Sequence, residues 1–193
     1  MRTEIPRQLV HLSGLLFVIL AQSTGRVQAV FYFVLLSLFF LLYSEYVKRQ
    51  EKKWTNVFRK FESGFRDFVY KFERKDIKNP FTGAFWFYAG CSIALILYPF
   101  GIASSACAML AVGDSLSTLV GKKFGKHKIG KKTFEGSLAC FLGSLAAGLF
   151  FVAPLIALAG ALTACLAELF SKINDNLTIP VVSGLVMLLV SIL

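Results

Sequence analysis

The sequence predicts an all-α membrane protein, a polytopic bundle of about seven transmembrane helices with an amphipathic helix at the membrane interface. Of the 193 residues, 56% are hydrophobic, the mean hydropathy is +0.66, and the apolar residues gather in long runs. A helix needs roughly 20 apolar residues to cross about 30 Å of hydrocarbon. The runs that approach this length predict one integral membrane domain over residues 1–193 with seven spans: Leu9–Thr24, Val27–Val47, Phe81–Phe100, Ile102–Val120, Gly136–Val152, Leu155–Phe170 and Thr178–Leu193.

The basic residues are distributed unevenly between the two sides that these spans define. When the spans alternate in direction, 20 of the 21 lysines and arginines lie on the side of the N-terminus, and Arg26 alone lies on the other. Because an excess of Lys and Arg marks cytoplasmic loops, we expect the N-terminus and the basic loops to be cytoplasmic. This topology accounts for the net charge of +10, so we expect no nucleic-acid partner.

The segment 48–79, between the second and third spans, combines basic residues with an aromatic stripe. Its large aromatic residues are spaced three and four apart, as on one face of a helix: Trp54, Phe58, Phe61, Phe65, Phe68 and Phe72. A cationic helix with such a face lies in the membrane interface, with its rings toward lipid and its charges toward anionic headgroups. Two roles stay open for this cytoplasmic insertion, a surface anchor packed on the bundle or a gate for a lipid substrate.

Small residues and cysteines inside the spans predict packing. Ala139, Gly143 and Ala147 recur every four positions in the fifth span, and such ridges let helices approach closely in lipid. The cysteines lie within apolar spans at no spacing typical of metal ligands, so we expect four small buried side chains: Cys91, Cys107, Cys140 and Cys165.

Two carboxylates lie inside predicted spans, Asp114 in the fourth and Glu168 in the sixth. A charge in a spanning helix costs roughly 2.5 to 3.5 kcal/mol on insertion scales, so an intramembrane carboxylate is a functional candidate by default. The predicted topology puts both toward the cytoplasmic side, together with five further polar residues: Arg7, His11, Glu135, Asp175 and Asn176. Their convergence predicts one shared site there.

Three of these residues, Asp114, His11 and Glu168, also have a purely structural interpretation. Asp114 alone is explained by an ion pair with Lys122 or Arg7. His11 alone is explained as a hydrogen-bonded helix residue, and Glu168 as a side chain that reaches the interface. The shared site explains all of them together, and we prefer it.

The segment 121–135 predicts a cytoplasmic loop that binds phosphate. Its stretch GKHKIGKK, Gly125–Lys132, nearly matches the P-loop pattern, but Lys132 stands where Ser or Thr holds magnesium, and the stretch follows an apolar helix instead of a strand. The underlying chemistry is still available, because glycines expose backbone N–H groups and lysines supply charge for phosphate oxygens. Asp114, with Glu168 or Asp175, would hold Mg²⁺ against those oxygens.

Four stretches together resemble the CTP-dependent polyprenol and lipid kinase family, which includes dolichol kinase, phytol kinase and the CTP-using diacylglycerol kinase. The central ones are GDSLSTLVGKKFG, Gly113–Gly125, and KKTFEGS, Lys131–Ser137. The outer ones are EIPRQLVHLSG, Glu4–Gly14, and AELFSKINDNLTIP, Ala167–Pro180. The chain departs from the family pattern at Gln8, where the family usually has Lys, which removes a second cationic contact in the first span.

The resemblance implies transfer of the γ-phosphoryl group of CTP to the hydroxyl of an isoprenoid or acylglycerol lipid at the cytoplasmic face. It implies that Asp114 is the essential carboxylate, that Gly113 and Gly121 frame the nucleotide loop, and that Arg7 is a basic partner. The compact chain favours an isoprenoid such as a polyprenol or dolichol, with diacylglycerol as the alternative.

The motif and the chemistry together give three groups of candidate residues. The residues expected to take part in catalysis are Asp114, Arg7, His11 and Glu168. Among them, Asp114 would be a metal ligand or a base, and His11 would orient a group or relay a proton. Those expected to bind the nucleotide, with the lysines on phosphate, are Gly113, Ser115, Gly121, Lys122, Lys123, Gly125, Lys131, Lys132, Thr133, Glu135, Gly136, Ser137 and Asn176. The residues expected to hold Mg²⁺ are Asp114, Glu135 and Asp175. For Glu135 and Asp175, the alternative role is to order the loop.

Two other functions fit parts of the pattern. A cytidylyltransferase, which makes a CDP-lipid from a lipid phosphate, would use the same nucleotide, but its usual signature is richer in Asp, Arg and Gly than NDNLTIP, Asn174–Pro180. A transporter with a carboxylate relay would explain Asp114 and Glu168 and leave the lysine-rich segment unexplained. The expected partners are a membrane lipid and a nucleotide, and the oligomeric state, including a homodimer, stays open.

Overall fold

The computed structural model describes residues 4–49, 82–171 and 173–193. Over these residues the chain is a bundle of helices with one small hairpin, which confirms the predicted all-α class. The helices are α1 (Glu4–Thr24), α2 (Arg26–Arg49), α3 (Thr82–Leu97), α4 (Phe100–Met109), α5 (Ser115–Phe124), α6 (Phe134–Gly148), α7 (Pro154–Phe170) and α8 (Asp175–Ile192). A π-helical segment, Leu110–Asp114, joins α4 and α5 into one continuous helix.

The seven predicted spans correspond in order to α1, α2, α3, the continuous α4–α5 helix, α6, α7 and α8. Three stretches in this part of the chain are long and apolar enough to cross a membrane: Arg26–Tyr46, Phe100–Phe124 and Asp175–Ile192. Four further apolar helices are shorter: His11–Thr24, Thr82–Leu97, Phe134–Gly148 and Pro154–Phe170. The amphipathic helix predicted for 48–79 lies, from residue 50 onward, outside the described residues.

Helix α8 begins earlier than the sequence predicts, so Asp175 and Asn176 belong to its first turn and not to a loop. The reason is a side-chain cap: Asn174 Oδ1 accepts a hydrogen bond from the backbone N–H of Asn176 at 3.1 Å, which satisfies a donor that the helix start leaves unpaired. Ser171 ends α7, and its hydroxyl lies 2.9 Å from the hydroxyl of Thr178. The connection between the two helices is therefore short and internally bonded.

The predicted cationic loop is also more ordered than expected. Helix α5 continues through Phe124, and the residues that follow form a two-stranded antiparallel hairpin of β1 (Lys128–Ile129) and β2 (Lys132–Thr133). Gly130, with φ at +60°, supplies the left-handed residue that a tight hairpin turn requires. We call the end of the bundle that carries this hairpin the hairpin end; the turn at Gly25 marks the opposite end.

The continuous α4–α5 helix is the core of the bundle. Met109 and Leu110 are fully buried, and small residues on neighbouring helices admit its side chains: a Cβ on Gly148 of α6 would lie 2.3 Å from Met109 Cε. A Cβ on Gly143 would lie 2.5 Å from Leu116 Cδ1, so Gly143, one of the small residues predicted to serve packing, lies at a close helix contact. All four cysteines are free, and Cys165 alone is not fully buried.

The closest approach of the central helix to α6 predicts a measurable effect on stability. A Cβ on Gly113 would lie 2.2 Å from Ser144 Oγ, so Gly113→Ala should destabilise the folded protein by about 1–3 kcal/mol through overpacking. Thermal unfolding in detergent measures this. Adding Ser144→Ala removes the clashing oxygen and should restore much of the loss, whereas Gly83→Ala, with nothing among the described residues within 4 Å of its Cβ position, should be neutral. Equal effects of the two single glycine replacements would contradict this packing account.

Candidate functional site

A polar cavity of about 430 Å³ opens at the hairpin end, between α5, the hairpin, the start of α6 and the start of α8. Its lining combines two carboxylates, three lysines, two glycines and four uncharged polar side chains: Asp114, Asp175, Lys122, Lys131, Lys132, Gly121, Gly136, Ser117, Thr118, Thr133 and Asn176. We call it the first cavity. Nine of these eleven residues are among the site residues predicted from the sequence.

One face of a single helix supplies the inner wall. Asp114, Ser117, Thr118 and Gly121 follow one another at steps of three, one and three, which places them on one face of the continuous α4–α5 helix. Asp114 is 5% exposed and closes the π segment. Such π turns in a long helix occur frequently at functional sites. The wall thus brings a buried carboxylate and two hydroxyl residues to the same surface.

The opposite wall approaches this helix closely because both partners lack side chains at the crossing. A Cβ on Gly136 would lie 2.9 Å from the carbonyl oxygen of Ser117, and one on Gly121 would lie 3.0 Å from Thr133 Oγ1. Thr133 caps α6, since its hydroxyl accepts a hydrogen bond from the N–H of Gly136 at 3.2 Å. The glycines of the motif therefore let β2 and α6 lie directly on α5 and fix the floor of the cavity.

Lys132 connects the cavity to the buried carboxylate of Glu168. Its Nζ donates to Glu168 Oε1 and lies 3.5 Å from Asp175 Oδ2, while Ser117 Oγ donates to the same Glu168 oxygen at 2.7 Å. Burial lowers the pKa of Lys132, but its bond to Glu168 and the charges of Glu168, Asp175 and Asp114 outweigh that effect and raise the pKa. Lys132 therefore stays protonated at neutral pH.

Asn176 ties the start of α8 to α3. The Asn176 Nδ2 donates to the backbone carbonyl of Gly83 at 3.1 Å. The backbone carbonyl oxygen of Asn176 would lie 2.4 Å from a Cβ on Gly90. Helix α3 therefore supports the part of α8 that carries Asp175.

Several predicted site residues lie outside the lining of the first cavity and have other contacts. The Glu135 carboxylate accepts hydrogen bonds from the backbone N–H of His127 and lies 2.7 Å from its Nδ1. Hydrogen bonds to this carboxyl lower its pKa to about 2. The largest contribution comes from the backbone N–H of Glu135, followed by the His127 side chain. Lys123 Nζ lies 5.1 Å from the ring centre of Phe124. Glu135 thus orders the segment before α6 and does not line the cavity with Asp114.

Four further predicted residues serve packing behind the cavity. Gly113 lies against α6, as described above, and Ser115 is buried and donates to the carbonyl of Ala111 at 2.7 Å. A Cβ on Gly125 would lie 2.2 Å from the carbonyl of Gly121. The carbonyl of Ser137 accepts from Cys165 Sγ at 3.3 Å. The motif residues thus include a second group, one that sets helix distances and does not face the cavity.

The residues of α1 are also placed outside the lining. His11 is buried and packs edge-on against Phe87 of α3, with the ring centres 5.2 Å apart. Arg7 lies one turn earlier in α1, and its side chain is outside the described part of the structure. Because α1 packs on the π segment and on α5, its first half still lies at the hairpin end.

A second cavity, of about 400 Å³, lies on the other side of Lys132. The two cavities share Lys131, Lys132 and Asp175, while Glu168 lines only the second. The rest of its lining comes from the hairpin turn, the end of α7 and the connection to α8. The predicted residue Glu168 is thus separated from the first cavity by the Lys132 side chain and Ser117.

Sequence reasoning missed two lining residues and the second cavity. Ser117 and Thr118 stand three and four positions after Asp114, so helical spacing from that one residue would have identified both. The second cavity depends on the side of α7 that the hairpin covers, for which the sequence carries no signal.

The described lining of the first cavity offers too few protein ligands to hold a divalent cation without a bound phosphate compound. Within the described residues no group of three or more His, Cys, Asp and Glu side chains converges to hold a metal. Two carboxylates, Asp114 and Asp175, do line the cavity, and Mg²⁺ is commonly held by one or two carboxylates together with substrate phosphates and water. The residues therefore suit Mg²⁺ bound with a polyphosphate.

Fold and cavity together define a class, an all-α bundle of apolar helices with a lysine- and carboxylate-lined cavity at one end. The chain is 28% identical over 209 aligned positions to CTP-dependent diacylglycerol kinase 1 of Schizosaccharomyces pombe, with 97% of this chain and 93% of that protein covered. It is 24% identical over 188 positions to uncharacterized protein RP860 of Rickettsia prowazekii, with 92% and 89% covered. No protein-family model and no solved structure matches the chain.

Proposed function

We propose that the protein is a CTP-dependent lipid kinase that transfers the γ-phosphoryl group of CTP to the hydroxyl of a membrane lipid alcohol. The observation that carries this proposal is the first cavity, where a buried carboxylate, three lysines and a glycine-built floor meet at one end of a bundle of apolar helices. A site for a soluble polyphosphate at the end of such helices lets a nucleotide reach a substrate dissolved in the membrane.

The lining suits the phosphates of a nucleotide triphosphate. Lys122 and Lys131 line the open part of the cavity beside Lys132, and ammonium groups bind phosphate oxygens as point charges. Catalysis of phosphoryl transfer consists mostly of positioning and of neutralising this charge. Asp114 and Asp175 would hold Mg²⁺ bound with CTP, and such an ion would neutralise charge that develops on the phosphate oxygens.

The comparison supports the nucleotide and the kinase class and bears on the acceptor. The similarity to a CTP-dependent diacylglycerol kinase runs over 97% of the chain, so we propose CTP as co-substrate and diacylglycerol as the first acceptor to test. The isoprenoid acceptor favoured by the sequence stays a prediction, and so does the cytoplasmic location of the cavity, which rests on the distribution of Lys and Arg.

Purified protein in detergent with CTP, Mg²⁺ and a panel of diacylglycerol, polyprenol and dolichol should release CDP and phosphorylated lipid. Label on the γ-phosphate of CTP should enter the lipid, and label on the α-phosphate should not. Transfer of the α-label with release of pyrophosphate would instead show a cytidylyltransferase. No nucleotide-dependent product with any lipid would reject the kinase and leave a transporter to be tested.

A further inference from the structure

We propose that the second cavity binds the hydroxyl-bearing headgroup of the lipid acceptor and that Glu168 accepts the proton of the attacking hydroxyl. This inference rests on the proposed kinase function and assigns the acceptor a place in the structure. It follows from three features of the second cavity: its apolar rim, its buried carboxylate, and its shared wall with the first cavity.

The rim of the second cavity is apolar and exposed. Ile129 at the hairpin turn is 39% exposed, Phe170 at the end of α7 is 69% exposed, and Ile173 in the connection to α8 is 81% exposed. All three line the cavity with Lys132 and Glu168, and the Glu168 side chain has no exposed surface, so its carboxylate lies behind this rim. A cavity with an apolar mouth and a charged interior matches an amphiphile whose polar headgroup enters first.

One carboxylate oxygen of Glu168, Oε2, can accept a further hydrogen bond. Its residue is 3% exposed; Oε1 accepts from Ser117 and Lys132, whereas the buried Oε2 has no hydrogen-bond partner among the described residues. A buried carboxylate oxygen without a donor is unfavourable, and an alcohol O–H bound in the second cavity would supply that donor. The fixed Oε1 also holds the carboxylate in one orientation.

The shared wall gives the reaction its direction. Lys131, Lys132 and Asp175 line both cavities, so the two cavities adjoin along these three side chains, and the alcohol oxygen reaches the γ-phosphorus where the cavities meet. The alcohol oxygen forms a bond to the γ-phosphorus, the bond from that phosphorus to the β,γ-bridging oxygen breaks, and CDP leaves with the electron pair. The hydroxyl proton passes to Glu168 Oε2 and then to water.

The same arrangement selects the chemical class of acceptor. A neutral alcohol donates its O–H to Glu168, whereas a lipid phosphate would bring negative charge against Glu168 and Asp175. The described lining of the second cavity holds two lysines, Lys131 and Lys132, and two carboxylates, Glu168 and Asp175, so it has no excess of positive charge to offset that of a lipid phosphate. The second cavity therefore takes a neutral lipid alcohol and disfavours the lipid phosphate that a cytidylyltransferase uses.

The rim is tested by the double variant Phe170→Ser, Ile173→Ser in detergent–lipid micelles with diacylglycerol and CTP. Loss of two apolar contacts with the acceptor should raise the KM for the alcohol about tenfold and leave the KM for CTP within about twofold. The matched control is Phe150→Ser, since Phe150 is 85% exposed but lies at the opposite end of the bundle. Equal acceptor KM values for the rim variant and this control would overturn the lipid site.

The proton acceptor is tested by Glu168→Gln, which keeps an oxygen for Ser117 and removes the base. The kcat should fall by about 10²–10⁴, the usual contribution of a general base, and the remaining rate should rise with pH as hydroxide replaces it. Retention of CTP binding, measured by protection of the protein against thermal unfolding, shows that the variant is folded. An unchanged kcat, or a lost rate together with lost CTP protection, would contradict the assignment.

The two levels of the proposal fail differently. Absence of CDP release by the wild-type protein with every alcohol in the panel would reject the kinase function itself. A wild-type protein that turns over, with rim and Glu168 variants that behave as the Phe150 control does, would keep the kinase and reject only the acceptor site.

Discussion

Replacing Asp114 with Asn should lower kcat by about 10²–10³-fold while the protein still folds and inserts. Asn has nearly the same shape, so the inner wall of α5 and its contacts with α6 should be retained. The lost charge is the one that would hold Mg²⁺ against the γ-phosphate, and removing a group that stabilises transition-state charge typically costs 10²–10³ in rate. Initial rates of CDP release, together with thermal unfolding of both proteins, measure the effect.

The matched control for Asp114 is another carboxylate of the same motif, Glu135. Both residues are expected from the sequence to hold metal, but the structure places Glu135 on His127 and outside the lining of the first cavity. We therefore expect Glu135→Gln to keep kcat within about threefold. Wild-type rates in Asp114→Asn would remove Asp114 from the mechanism, and an equal collapse in Glu135→Gln would show that the segment before α6 rearranges when substrate binds.

Replacing Lys132 with Met should damage both stability and turnover. The Glu168 side chain is buried, so removing its cationic partner leaves an uncompensated charge. We expect the free energy of unfolding to fall by on the order of 3 kcal/mol. This value is at the low end for buried pairs because Lys132 is partly exposed. For a chain of this size that loss corresponds to a decrease of roughly 6–12 °C in melting temperature. Turnover should fall as well, because Lys132 lines both cavities.

A second substitution separates these two effects. Lys132→Met combined with Glu168→Gln removes both charges, so most of the lost stability should return while turnover stays low. Lys123→Met is the control, since Lys123 lies over Phe124 and does not line the first cavity. A double variant no more stable than Lys132→Met would show that the ion pair is not what the lysine stabilises.

The sequence was sufficient for the fold class and for most of the first cavity, because both depend on local patterns. Apolar runs marked each helix, and Asp114 stood out as a carboxylate within one of them. Five lysines and glycines of the motif line the same cavity because helix, hairpin and helix follow one another directly along the chain: Lys122, Lys131, Lys132, Gly121 and Gly136. Short sequence separation made this part predictable.

The features that the sequence did not reveal depend on tertiary contacts. The π segment that ends at Asp114 lies where Gly113 packs against Ser144, and these two residues are on different helices. The contact of Lys132 with Glu168 joins residues 36 positions apart, so neither spacing nor composition indicates it. The Glu135–His127 pair is local, but its geometry depends on the hairpin, which the sequence pattern presented as a loop.

The central claim is that the first cavity holds the phosphates of CTP, and photoaffinity labelling tests it most directly. A CTP analogue with a photoreactive group on its γ-phosphate should label peptides that contain Lys122 and Lys131, and excess CTP should abolish this labelling. CTP-protected labelling confined to the opposite end of the bundle, on peptides around Arg26 and residues 97–100, would contradict the account.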